Sequence, residues 1–196
     1  MAAASDPLSA PPHLQQPLPA QRWVVMGVSG CGKSTVGAAL AASLGLRFIE
    51  GDAFHPPQNV AKMSAGLPLD DHDRADWLQA LATEIRNARG QGVGLVLSCS
   101  ALKRRYRDLL RQADPDLRFA HLQGPRELIA GRMAGRSGHY MPPALLDSQL
   151  RDLEALQDDE AGIRLDISLA PAALVDSIIH SSTLTSISSG KGRTAE

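Results

Sequence analysis

Strand-like and helix-like segments alternate along most of this chain and predict a single α/β domain, a parallel sheet covered by helices on both faces. Two observations carry that expectation. Five short, mainly apolar runs are separated by stretches of helical periodicity, and a Gly-rich turn stands between the first run and the first helix. At 196 residues the chain has the length of one well-buried domain.

The first strand is read at Trp23 to Val28, an apolar run that ends in the Gly-rich turn. Val36, Leu40 and Leu44 then recur at helical spacing from Lys33 onward. Arg47 to Gly51 is a second strand, and Asp73 to Ala88 a helix with Trp77, Leu78, Leu81, Ala82 and Ile85 on one face. Val93 to Leu97 is a fully apolar strand, followed by a helix marked by Leu102, Tyr106, Leu109 and Leu110. A fourth strand at Leu117 to Leu122 leads to a helix from Arg126 to Met133. Gly135 to Pro143 interrupts the pattern before a stripe of Leu146, Leu150 and Leu153. A last strand near Arg164 to Ile167 reaches Pro171, a good first-turn residue, and a helix through Leu174, Val175, Ile178 and Ile179. The domain is placed at 22–180. The Ala/Pro/Gln-rich lead-in, 1–21, and the Ser/Thr/Gly-rich tail, 181–196, have too little apolar surface to bury and are expected to be disordered.

Composition narrows the function. Hydrophobic residues are 43% and charged residues 21%, with a net charge of −1, so no global basic field exists to hold nucleic acid or anionic lipid. No apolar stretch is long enough to span a bilayer, and the lead-in lacks the basic and apolar regions of a signal peptide. Cys31 and Cys99 have neither CxxC nor metal-ligand spacing; with the histidines they offer no zinc site and read as reduced thiols of a cytoplasmic protein. Lys103, Arg107 and Arg111 share one helical side and are expected to form a mostly solvated face.

Gly27-Val28-Ser29-Gly30-Cys31-Gly32-Lys33-Ser34 fits the phosphate-loop pattern G-x-x-x-x-G-K-[ST]. Its glycines let successive N–H groups converge on one concavity, and the following helix N-terminus adds positive potential. Lys33 is expected to reach the β- and γ-phosphates of ATP, and the Ser34 hydroxyl to ligate Mg²⁺. No Asn-Lys-x-Asp guanine-reading motif is present, and Val93 to Leu97 ends in Ser98 and Cys99 with no acid at its tip. Together these point to a small-molecule kinase whose metal-side carboxylate comes from elsewhere. Asp52, directly after the second strand, is the candidate. It could orient an acceptor hydroxyl, accept its proton or hold a metal-bound water, or be an ordinary turn residue. Asp70, Asp71 and Asp73 read as helix N-caps.

The segment after Asp52 carries a family resemblance. Gly51-Asp52, His55-Pro56, Asn59, Lys62-Met63, Gly66-Leu67-Pro68-Leu69, Asp71-His72-Asp73-Arg74 and Trp77 resemble the signature of bacterial-type gluconate kinases. Cys99-Ser100-Ala101-Leu102-Lys103 and Tyr106 to Arg111 resemble that family's next signature, and the likeness runs from Trp23 to about His180. It implies a P-loop NTPase fold of the nucleoside-monophosphate-kinase and shikimate-kinase type with a mobile lid at about 132–143. It also implies MgATP-dependent phosphorylation of D-gluconate at its 6-hydroxyl, in a cytoplasmic homodimer. Carried onto this sequence, Asp52 becomes the acceptor-activating carboxylate and, with Ser34, a metal ligand. His55, Lys62, Arg74, Ser100 and Lys103 become candidates for the gluconate pocket. Gly27 through Thr35 and Arg132 are assigned to the nucleotide, Lys33 also to catalysis, and Arg136 to the lid's delivery of positive charge.

Overall fold

The computed structural model of the chain describes residues 20–135 and 143–189. Its five strands form one parallel sheet in the order β2-β3-β1-β4-β5, with β1 (Arg22–Met26) in the centre. β3 (Leu95–Ser98) lies on one side of β1 and β4 (Arg118–Gln123) on the other; Val24 is level with both Leu97 and Phe119. β2 (Arg47–Glu50) and β5 (Gly162–Asp166) form the edges. The fold class and each of the five strands follow the pattern of the sequence.

Alternation along the strands divides the core in two. Val24, Met26, Leu95, Leu97 and Phe119 face a layer built on Trp77, Leu81 and Ile85 of α3 (Asp71–Gly90). Trp23, Val25, Val96, Ala120 and Leu122 face Val36 and Leu40 of α1 (Lys33–Leu44) and Leu174 and Ile178 of α7 (Pro171–Ser189). Both sheet faces are therefore dry, which is why the strands read as continuous apolar runs.

Three features depart from the expectation. A 3₁₀ turn (Gly51–Phe54) and α2 (Pro57–Ser64) fill the connection from β2 to α3, where the sequence pattern shows no helix; α2 is too short and too polar to show periodicity. The last helix does not stop at His180. It continues to Ser189, and the Ser181 and Ser182 hydroxyls bond back to the Ile178 carbonyl at 2.7 and 3.1 Å, so these serines can ride on a helix anchored by Leu174 and Ile178. The third concerns the basic side of α4 (Arg104–Ala113), which is not solvated. Arg107 is 0% exposed and clamps Glu160 with Nε and Nη2, each 2.7 Å from a carboxylate oxygen. Arg111 pairs with the same carboxylate.

α5 (Arg126–Ala134) and α6 (Pro143–Asp152) follow β4, and Leu146 of α6 packs with Ile129 of α5 in the second core layer.

His121 of β4 is 1% exposed, and neither ring nitrogen has a hydrogen-bond partner among the described residues. Burial first, and then the Arg107 and Arg164 cations, push its pKa down to about 4 against the opposing pull of Glu160.

Two expectations follow. Glu160→Ala strands the Arg107 cation in the core and should cost about 3–5 kcal/mol in urea unfolding; a loss below 1 kcal/mol would show that the pair is not structural. Because the folded pKa of His121 lies below its unfolded value near 6.5, the stability it preserves is complete above that value. It is lost as pH falls towards about 4. Between pH 7 and 5 this amounts to about 2 kcal/mol, a loss that His121→Leu should abolish in matched urea titrations.

Candidate active site

The phosphate loop joins β1 to α1 across the carboxyl edge of the sheet, where parallel α/β folds gather their ligands. Gly32 caps α1 in the left-handed region at φ 99°, a conformation that a side chain would strain. Lys33 is buried, and its Nζ donates to the Val28 carbonyl at 3.1 Å, so the ammonium folds back over its own loop. Ser34 and Thr35 stand exposed at the first turn of α1.

Two clefts share this loop. The first has about 540 Å³ of empty space, open solvent included, and is lined by Ser29 and Lys33 of the loop together with Asp52, His55, Arg74 and Ser100. Met63, Leu67, Pro68 and Leu69 give it an apolar wall, and Leu145, Ser148 and Gln149 of α6 close the opposite side. The second has about 760 Å³ and is lined by Gly30, Cys31, Gly32 and Thr35, with Arg132 of α5 and Leu169, Pro171 and Leu174 beyond β5. The first holds Lys33 and Arg74 beside Asp52; the second combines loop backbone and apolar side chains with Arg132, a lining that suits a nucleoside and its phosphates.

Asp52 reaches the first cleft because β2 ends at Glu50 and the 3₁₀ turn lifts the next residue over the strand tips. Gly51 is required there: a Cβ would collide with the Ser98 carbonyl oxygen. The Ser98 hydroxyl accepts from Gly51 N at 3.2 Å and donates to Glu50, tying β2 to β3 beneath the site. Trp77 Nε1 donates to the Gly51 carbonyl at 2.8 Å, and His55 stacks on the Trp77 ring at 4.3 Å. His55 is thus held as a pocket wall. Burial first and the Arg74 cation lower its pKa, while Asp52 opposes them.

Arg74 enters from the first turns of α3. It is 6% exposed, and among the described residues its guanidinium has no ion pair or hydrogen bond. A buried cation without a carboxylate is costly unless an anionic ligand completes it. The helix start that presents it is rigid: Asp70 caps Asp73 N, and Asp73 returns the bond to Asp70 N, each at 2.9 Å. Of the acids expected to be N-caps, Asp70 is the cap and Asp73 its capping-box partner. Asp71 instead bonds Lys103, Arg105 and Tyr106, and the Tyr106 hydroxyl and Lys103 hold its pKa at about 2.

The structure therefore brings Ser29, Lys33, Asp52, His55, Arg74 and Ser100 together. It does not bring Lys62 and Lys103 to the lining. Lys62 is held by Asp73 at 2.7 and 2.8 Å, and Lys103 by Asp71 at 3.1 Å, so both brace the start of α3. Arg132 lies on the second cleft and donates from Nη2 to the Ile167 carbonyl at 2.7 Å. Arg136 and most of the lid expected at 132–143 lie outside the described residues. The two thiols are buried; burial raises the pKa of Cys31 and pushes that of Cys99 up to about 12. Ser148 and Gln149 escaped the sequence reading. They lie between the leucines of the stripe on α6, and nothing in their spacing marks them.

Comparison with known proteins identifies the family. A family model described as an AAA domain matches residues 23–156. The chain is 48% identical to a gluconokinase of Gluconobacter oxydans, over 80% of this chain and 88% of that protein. The crystal structure of a gluconokinase from Sinorhizobium meliloti superposes with a TM-score of 0.80 at 42% identity, covering 89% of this chain and 98% of that one. Shikimate kinase from Aquifex aeolicus, at 16% identity and a TM-score of 0.53, shares the fold alone. With a phosphate loop between two clefts, an acid at the tip of β2 and this degree of identity over nearly the full length of its relatives, the chain belongs to the gluconokinase family of P-loop kinases.

Proposed function

We propose that the protein transfers the γ-phosphoryl group of ATP to the 6-hydroxyl of D-gluconate, giving 6-phosphogluconate and ADP. The observation that carries this reading is the buried Arg74, which has no ion pair or hydrogen bond among the described residues, in the same cleft as Asp52. A sugar acid has a carboxylate at one end and a primary hydroxyl at the other, and this cleft offers a cation for the first and a carboxylate for the second. Arg74 holds the substrate carboxylate by charge-assisted hydrogen bonds. His55 and Ser100 meet the chain hydroxyls between. Asp52 orients the 6-hydroxyl and takes up its proton, a late event in a loose transition state where positioning and charge dominate.

Lys33 exchanges the Val28 carbonyl for the β- and γ-phosphate oxygens when ATP enters, and Arg132 borders the nucleoside. Arg136 retains the lid role that the resemblance gives it. Lys62 and Lys103 serve the substrate indirectly, by fixing the helix start that carries Arg74. Among the described residues no cluster of three or more His, Cys, Asp or Glu exists, so a dedicated protein cage for a metal is absent from that part. The exposed Ser34 hydroxyl and Asp52 carboxylate fit a hard cation held chiefly by substrate phosphates, as Mg²⁺ is. Bound there, Mg²⁺ would neutralise charge developing on the phosphates. The proposal includes a cytoplasmic, homodimeric enzyme, on the family resemblance; no helix among the described residues is long and apolar enough to cross a membrane.

Assayed by ADP release against sugar acids, shikimate and nucleoside monophosphates, the protein should give its highest kcat/KM with gluconate and require Mg²⁺. Faster turnover of shikimate or a nucleotide would refute the acceptor assignment. Within the site, Arg74→Met should raise the gluconate KM on the order of a hundredfold, the loss of charge-assisted bonds, with little change in ATP affinity. Asp52→Asn should lower kcat while direct ATP binding stays near wild type. An Arg74→Met enzyme with a wild-type gluconate KM would remove Arg74 from the pocket.

A further inference from the structure

Among the described residues, Gln149 is the one residue of another element whose side chain hydrogen-bonds the phosphate-loop backbone. Ser29 N donates to its Oε1 at 2.7 Å, and its Nε2 makes a longer contact, 3.4 Å, to the Ser29 hydroxyl. The assignment of the carboxamide is forced, since a backbone N–H can only donate and the oxygen must face it. The contact is also well anchored. Leu145, Ser148 and Gln149 lie at i, i+3 and i+4 on the cleft side of α6, while Leu146 and Leu150 pack into the core on the other side.

The position of Ser29 gives the contact its meaning. Ser29 and Lys33 line the acceptor cleft with Asp52, whereas Gly30, Cys31, Gly32 and Thr35 line the nucleotide cleft. Ser29 therefore stands where the two clefts meet, the place that the terminal phosphoryl group of ATP must occupy to reach an acceptor on Asp52. Gln149 supplies the Ser29 N–H with an acceptor. With a phosphate present, a carboxamide oxygen beside anionic oxygens would set acceptor against acceptor. A half-turn about the last side-chain torsion replaces that oxygen with an N–H₂ donor, without titration and without moving the helix.

We propose that Gln149 is a catalytic residue of the phosphoryl transfer: its carboxamide, seated on Ser29 N, turns over to donate a hydrogen bond to the transferring phosphoryl group of bound ATP. This rests on the kinase reading above but not on the identity of the acceptor. A neutral donor at that point stabilises charge spread over the equatorial oxygens and leaves the attacking hydroxyl free for Asp52. It would also hold the group in line between the two clefts.

The test uses the full chain, with Mg²⁺ and a non-hydrolysable ATP analogue for binding and wild-type turnover of gluconate as the reference. Gln149→Ala should lower kcat about a hundredfold, the effect of losing one donor, with its melting temperature unchanged and analogue Kd within threefold of wild type. Gln149→Glu retains an acceptor for Ser29 N but cannot donate. It should lose kcat likewise and also weaken analogue binding about tenfold at low salt, an effect that added salt relieves. Gln149→Met, which keeps the packing, should behave as the alanine variant and serves in its place if that variant is unstable. Wild-type kcat at saturation in Gln149→Ala or Gln149→Met, or analogue binding by Gln149→Glu that is as tight as wild type, would overturn the proposal. A wild-type enzyme that binds the analogue yet ignores gluconate would instead overturn the acceptor assignment.

Discussion

A single buried guanidinium sets the geometry of the acceptor side of this enzyme. Arg107 donates in two directions besides its clamp on Glu160: Nη1 to the carbonyls of Ala101, Leu102 and Glu154 at 3.1 to 3.2 Å, and Nη2 to that of Ala155 at 3.4 Å. Withdrawing this cation from water costs several kcal/mol unless its donors are all engaged, and here they are. The carboxylate is equally committed. Burial would raise the pKa of Glu160, but the bonds from Arg107, Gln157 N and Arg111 outweigh it and hold the group at about 2. The carbonyls that Arg107 gathers belong to the exit of β3, just beyond Ser100, and to the stretch just after α6, the helix that carries Gln149. Ala101, at φ 41°, sits in a left-handed conformation unusual for a residue with a Cβ, and the clamp on its carbonyl helps to hold it there. The Ser100 carbonyl in turn accepts from Gly27 N at 3.3 Å. Phosphate loop, acceptor wall and α6 are thus linked through one set of bonds.

Charge is distributed by the same economy. At the surface, cations meet acids: Arg104 pairs with Asp159, Arg126 with Asp147, Lys62 with Asp73 and Lys103 with Asp71. Exposed pairs of this kind contribute little stability each, and their use here is to fix helix ends. The two cations of the cleft are different. Lys33 rests on a backbone carbonyl, and Arg74 has no acid among the described residues. Both line the cleft that holds Asp52, so an anion entering it meets two positive charges beside one carboxylate. The capping box and the two lysines paired with Asp71 and Asp73 fix the helix start that presents Arg74 to the cleft.

Much of this was legible in the residues themselves. Parallel-sheet strands buried on both faces must be apolar throughout, so β1, β3 and β4 were visible as runs. The helices showed their stripes wherever one face packed on the sheet, as Trp77, Leu81 and Ile85 do. The phosphate loop is local in sequence because its function is local: neighbouring N–H groups and one helix terminus bind the ligand. Asp52 was legible because it follows a strand. Arg74, His55 and Ser100 came with the family resemblance, and the structure brings all three to the cleft with Asp52.

What lay beyond the sequence depends on pairs of residues far apart along the chain. Lys103 and Arg107 are both cations on one helical side; only the arrival of Glu160 and four carbonyls makes the second a core residue, and only the arrival of Asp71 takes the first out of the pocket. Gln149 stands 120 positions from Ser29, between leucines whose spacing announces a helix and nothing more. The sequence by itself determined a P-loop kinase fold, the phosphate loop and the acid after β2, because each depends on neighbours within a few residues. The tertiary structure decided which cations line the cleft and which face acids, because burial and pairing are properties of the assembled core and leave no local pattern in the chain.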